Sequence, residues 1–171
     1  MEKIIHYPEF VTATILNWHP LLKQEKYKNL ILESLRFLVK SNRIILYAYC
    51  IMDTHIHLIW QVKGDIALSV IRRDFFKYTA QQFKRDLDEY DPEVLISFAS
   101  TQADRKYQIW ERNTLCIDLF TDAVFDQKLN YIHYNPVAAG ICLYEEEYTY
   151  SSARFYLTGE DRWNMMTHCN Q

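Results

Sequence analysis

With 171 residues, 49% of them hydrophobic and 24% charged, the chain is long enough for one domain over 1–171 with a sizeable core, and with 3 Gly and 4 Pro it has little room for flexible linkers. The formal net charge of -3 gives no global attraction to nucleic acid, so any such surface must be a local basic patch. Cys50, Cys116, Cys142 and Cys169 form no C-x-x-C pair, which argues against a zinc ribbon or a redox motif, and no apolar run or leader pattern points to a membrane, so the expected setting is cytoplasmic.

Phe10 to Leu16 alternates and is rich in β-branched residues, which predicts a first strand closed off by Pro20. From Glu25 to Lys40, Tyr27, Leu30, Ile31, Leu35 and Leu38 recur at helical spacing, and Ser41-Asn42 ends that helix. Ile44 to Met52 is almost continuously apolar and predicts a strand buried on both faces. Asp53-Thr54 then makes a tight turn into a third strand.

That third strand, Thr54-His55-Ile56-His57-Leu58-Ile59-Trp60, is the most informative stretch of the chain. Alternation puts His55, His57 and Ile59 on one face and Ile56, Leu58 and Trp60 on the other, towards the core. Two imidazoles side by side on a rigid strand can begin a metal site, and they equally fit a hydrogen-bonded core or a structural zinc site.

After Gly64-Asp65 a second helix is expected from about Ala67 to Leu87, with Leu68, Ile71, Phe75, Thr79 and Phe83 inward. Arg73, Lys77 and Lys84 lie on its opposite face, and with Arg72 and Arg85 they are the candidates for a DNA-facing patch. The same charges fit an ordinary solvated face. Leu95–Ala99, Tyr107–Trp110 and Cys116–Phe120 read as short strands. Thr121 is a good N-cap for a third helix, expected to stop near Tyr134 because Pro136 disfavours helical geometry at Asn135. Tyr131 and Asn135, four residues apart, offer a phenol and an amide oxygen to one place. Together with the histidines they form a nitrogen and oxygen donor set that suits Mg²⁺ or Mn²⁺ on a phosphate, beside a tyrosine able to act as nucleophile. Taken alone, Tyr131 also fits plain packing.

The order β-α-β-β-α-β predicts an α+β fold of ferredoxin-like or RRM-like type, an antiparallel sheet with helices on one face and the histidines on a central strand. Within that frame, Ala48-Tyr49-Cys50-Ile51-Met52-Asp53-Thr54-His55-Ile56-His57-Leu58-Ile59 resembles the HUH motif of single-tyrosine transposases, two histidines around one bulky apolar residue. Tyr131-Ile132-His133-Tyr134-Asn135-Pro136-Val137-Ala138-Ala139-Gly140 resembles the tyrosine segment of the same family. Tyr148-Thr149-Tyr150-Ser151-Ser152-Ala153 with Tyr156 resembles the aromatic-Ser-Ser-x-x-x-Tyr segment of its REP-associated branch. The chain lacks that branch's Gly-rich N-terminal motif around Tyr7 to Asn17.

The resemblance implies a divalent ion held by His55, His57 and Asn135. It implies attack by Tyr131 on a scissile phosphodiester, a 5′-phosphotyrosine intermediate and rejoining by a 3′-hydroxyl. The implied partners are single-stranded DNA and DNA hairpins, and a homodimer that exchanges the tyrosine helix occurs among such relatives. A hairpin-binding protein without mobility and a metal phosphodiesterase that uses water are the alternatives.

Overall fold

A computed structural model of the chain describes residues 6–170. Its centre is a four-stranded antiparallel sheet made of β1 (Glu9–Thr14), β2 (Ile44–Ile51), β3 (His55–Val62) and β4 (Leu115–Asp118), in the order β2-β3-β1-β4. β3 therefore lies in the interior of the sheet, flanked by β2 and β1. The β2–β3 hairpin closes at Asp53-Thr54, where the Met52 N–H donates to the His55 carbonyl at 2.9 Å. The turn is pinned from outside by Lys28, a buried lysine whose Nζ donates to Asp53 Oδ1 at 2.8 Å and to the Tyr148 hydroxyl at 3.0 Å.

The two faces of the sheet are both covered, which corrects the expectation of helices on one face only. α1 (Glu25–Lys40) and α2 (Leu68–Tyr90) close the face formed by Val11, Ala13, Ile56, Leu58 and Trp60. There Phe75 of α2 packs edge-on against Trp60. α4 (Asp122–Ala138) closes the other face, where Leu129 and Ile132 meet Phe10, Ala48, Cys50 and Ile59. Strict alternation along β2 cannot produce this pattern, because Leu46 faces α1 and α2 while Ala48 faces α4. A bulge between Leu46 and Ala48 reverses the parity, so the apolar run supplies both cores from one strand.

Four local expectations change. The first strand ends at Thr14 rather than Leu16, since the Ile15 N–H leaves the ladder to donate to the Thr54 carbonyl. Leu95–Ala99 is not a strand: α3 (Pro92–Ile96) ends inside it, with Pro92 in its first turn and the Asp91 side chain accepting from the Val94 N–H. Tyr107–Trp110 makes only single bridges, Tyr107 with Ala99 and Trp110 with Ile15. α4 runs through Pro136 to Ala138, because a buried proline in the last turn forfeits one N–H while the Ala139 N–H still reaches the Asn135 carbonyl at 3.0 Å. Asn135 thus stays helical and keeps its register with Tyr131.

The tail staples α4 to β2. Ser152 Oγ accepts from the Tyr49 N–H at 3.0 Å and is hydrogen-bonded to His133 Nε2 at 2.8 Å. α5 (Ala153–Thr158) then carries Tyr156, whose hydroxyl donates to the Tyr47 carbonyl at 2.9 Å. Burial pushes the His133 imidazole down to about 4, so it is a neutral structural group here.

Candidate active site

The site is built where β1, β3 and α4 meet. Pairing aligns Thr12 with His57 and Thr14 with His55, so both histidines project from the sheet face that α4 covers. Each imidazole is oriented by a threonine hydroxyl: His57 Nδ1 lies 2.8 Å from Thr12 Oγ1, and His55 Nδ1 lies 2.9 Å from Thr54 Oγ1. With both Nδ1 atoms engaged, the Nε2 atoms are left to face the interior of the site.

α4 supplies the remaining groups. Asn135 Nδ2 lies 3.2 Å from His57 Nε2, and the same amide reaches His55. Tyr131, one turn earlier, stands edge-on to His57 at 5.2 Å between ring centres and to Phe10 at 6.0 Å. It is half-exposed. Tyr134 is similarly exposed, but among the described residues it makes no ring contact with either histidine.

Burial holds both imidazoles neutral. His57 is pushed down to about 3 by burial, helped by its neighbour His55 and by the Lys128 ammonium. His55 is lowered by burial, with the hydrogen bond to Asn135 acting the other way. A neutral imidazole keeps a lone pair for a Lewis acid, which is what a metal ligand requires. Among the described residues no three His, Cys, Asp or Glu side chains cluster. The donor set for a cation is therefore two imidazoles and one amide. Rotating the Asn135 amide by a half-turn exchanges its nitrogen for its oxygen without moving the helix.

The candidate residues separate into two groups. His55, His57, Tyr131 and Asn135 come together. Arg72, Arg73, Lys77, Lys84 and Arg85 do not join them, because α2 packs on the opposite face of the sheet. Arg72 is committed to the buried Glu9 carboxylate, which also accepts from Trp60 Nε1 at 3.0 Å. Arg73 pairs with Asp74. Arg73, Lys77 and Lys84 line a depression of about 510 Å³ with Arg105 and Gln108, and Arg85 does not line it.

Three residues of the site were not singled out in the sequence. Thr12 follows from strand parity once β1 is paired with β3. Lys128 lies three residues before Tyr131, a spacing that puts both on one face of α4, and its Nζ lies 4.9 Å from the Phe10 ring centre and 5.9 Å from that of Tyr131. Trp18 lies edge-on to His55 at 5.6 Å, and no periodicity pointed to it.

Residues 9–110 match the model of the family described as "Transposase IS200 like". The chain belongs to the IS200-like transposase family. As a transposase, it acts on DNA. The matched residues include the histidine strand and stop before α4, so the placement of Tyr131 and Asn135 rests on the geometry above. The fold agrees with that of a REP-associated tyrosine transposase solved bound to a REP hairpin, at TM-score 0.65 and 18% identity over 98% of this chain and 89% of that one. It also agrees with a candidate transposase from Deinococcus radiodurans R1, at TM-score 0.51 and 14% identity over 77% of this chain and 92% of that one. No curated protein matches the chain in sequence. Among the described residues no helix is long and apolar enough to cross a membrane.

Proposed function

We propose that this transposase nicks single-stranded DNA with Tyr131 as nucleophile and rejoins strands from the covalent intermediate. The observation that carries the reading is the convergence of an exposed phenol, two neutral imidazoles and one amide on a single sheet face, with Tyr131 5.2 Å from His57 and Asn135 3.2 Å from it. His55, His57 and Asn135 would hold Mg²⁺ or Mn²⁺, which when bound supplies Lewis-acid stabilisation of phosphate charge. Tyr131 Oη gives up its proton to solvent and bonds to phosphorus as the bond to the 3′-oxygen breaks, and that oxygen takes a proton from solvent and leaves as a hydroxyl. A later 3′-hydroxyl attacks the same phosphorus, restores a phosphodiester and frees the phenol, so no external energy source is required. Lys128, beside the phenol, offers a positive charge to the phosphate as it shifts onto Tyr131.

The hairpin in the similar solved complex supports a DNA hairpin as the second ligand of this chain. The depression lined by Arg73, Lys77 and Lys84 is our candidate for its phosphates, on the far side of the sheet from the nicking site.

The test is incubation of labelled single-stranded DNA from the flanks of the gene with the protein and Mn²⁺, followed by a denaturing gel. Wild type should give a nick and a covalent protein–DNA adduct. Tyr131→Phe should lose both, and Tyr134→Phe should keep both. Nicking at the same phosphate by Tyr131→Phe would make water the nucleophile, and transfer of the adduct to Tyr134 would move the assignment three residues along α4.

A further inference from the structure

Trp18 stands apart from the other tryptophans. It belongs to neither cluster of the core, and 63% of its surface is open, whereas Trp60 and Trp110 are buried. It also adopts an uncommon backbone: Asn17 and Trp18 have φ of 55° and 56°. A left-handed conformation is disfavoured for a bulky L-residue and persists only where the surroundings impose it. They do so here through hydrogen bonds donated by three successive backbone N–H groups. The Asn17 N–H donates to Glu111 Oε1 at 2.8 Å, the Trp18 N–H to the Ile15 carbonyl at 2.9 Å, and the Leu16 N–H to the Ile109 carbonyl at 2.7 Å. A rigid segment thus holds a large aromatic ring in solvent, with the His55 imidazole edge-on to it.

Its place relative to the reacting groups is set by the sheet. Thr14 opposite His55 and Thr12 opposite His57 fix a direction along β1 and β3. Trp18 meets His55 at 5.6 Å, His55 meets His57 at 4.8 Å, and His57 meets Tyr131 at 5.2 Å. Trp18 thus meets the pair at His55 and Tyr131 meets it at His57, and among the described residues no ring contact joins Trp18 to His57 or Tyr131 to His55. In a phosphoryl transfer the attacking and leaving oxygens lie roughly in line on opposite sides of phosphorus. With Tyr131 attacking from one end of the row, the leaving 3′-oxygen and its nucleoside emerge at the other end, beside Trp18.

We propose that Trp18 is the stacking platform for the base of the nucleotide that carries the leaving 3′-oxygen. The proposal rests on the nicking reading above and gives the single strand a direction across the site. Stacking on an indole tolerates any base, so Trp18 anchors the strand and leaves sequence choice to other groups.

The experiment has a binding arm and a cleavage arm. In the first, anisotropy of a fluorescein-labelled oligothymidylate of about a dozen nucleotides is followed with chelator present, so that no cleavage occurs. Trp18→Ala should weaken binding about tenfold, and Trp18→Phe, which keeps an aromatic face, by less than about threefold. In the second, wild type is given flanking DNA with an abasic residue on either side of the cleaved phosphate. The abasic residue on the 5′ side should slow wild type to the rate of Trp18→Ala, and Trp18→Ala should lose nothing further on that substrate.

Equal oligonucleotide affinity for wild type and Trp18→Ala, with Tyr131-dependent nicking intact, overturns the platform and leaves the nicking reading standing. So does an abasic residue on the 3′ side that reproduces the loss in place of the 5′ one. Absence of both binding and nicking in wild type removes the nicking reading and the platform with it.

Discussion

The two faces of the sheet are made by the same strands and have opposite characters. Towards α1 and α2, β3 presents Ile56, Leu58 and Trp60, all fully buried among apolar neighbours. Towards α4 it presents His55 and His57, held by threonine hydroxyls and an asparagine amide. The first face gains stability from volume and the exclusion of water. The second holds the buried His57 and the half-buried His55, whose charged forms are disfavoured by desolvation. Adjacent residues of one strand therefore separate stability from chemistry, and that separation can be tested residue by residue.

The sharpest test compares neighbours. His57→Gln should lower nicking about a hundredfold or more, since metal sites lose up to that factor even when an outer partner is removed. Its unfolding free energy should change by only about 1 kcal/mol, the scale of one hydrogen bond. Leu58→Ala should do the reverse, costing about 2–5 kcal/mol in urea unfolding while the remaining folded molecules nick at the wild-type rate. A Leu58→Ala protein with slow nicking per folded molecule would show that the two faces are mechanically coupled.

The pairing of chemistry with one strand was legible because H-x-H in an apolar run has only one reading in a strand, two histidines on a common face. Tyr131 and Asn135 were legible for the analogous reason on a helix. Other features depend on tertiary packing. A bulge at Tyr47 leaves no mark in an unbroken apolar run, yet it decides which face each residue of β2 serves. Packing carried α4 through Pro136 against the local preference of Asn135. At Asp91-Pro92-Glu93 a helix start signal was present and was outweighed by the β-rich look of the residues after it. Arg73, Lys77 and Lys84 do share one outer face of α2, but nothing local to that helix told which side of the sheet it would cover, or that Arg72 would turn to the buried Glu9.

A smaller effect is expected from that basic face. Neutralising Arg73, Lys77 and Lys84 together should weaken binding of a DNA hairpin and lower the slope of log K against log salt by up to about 0.9 for each phosphate that is no longer neutralised. Arg73 should account for the least of it, because Asp74 already pairs with its guanidinium. An unchanged slope would reduce the depression beside α2 to a solvated surface and leave hairpin binding to the α4 side, ending the division of labour between the faces.

The smallest effect belongs to the clamp that joins α1 to α2. The Asp86 carboxylate accepts from the Tyr27 hydroxyl at 2.6 Å and pairs with the Lys26 ammonium. Burial by itself raises the Asp86 carboxyl, and the hydrogen bonds from Lys26 and Tyr27 outweigh it, so the group sits below its ordinary range. A carboxyl lowered in the folded state binds fewer protons there than in the unfolded chain. Its contribution is therefore present above the unfolded value near ~3.9 and is lost as pH falls through the lower folded value. Asp86 is partly exposed, so solvent screening keeps the contribution to about 0.5–1 kcal/mol. Asp86→Asn should lower the urea-unfolding free energy by that amount at about pH 7, and the difference from wild type should shrink as pH falls through the lowered folded value, where the wild-type carboxyl itself takes up its proton. Nicking per folded molecule should not change, because the clamp lies on the face that carries no chemistry. A gap between the two proteins that stays constant down to acid pH would assign the loss to packing around Tyr27 rather than to charge.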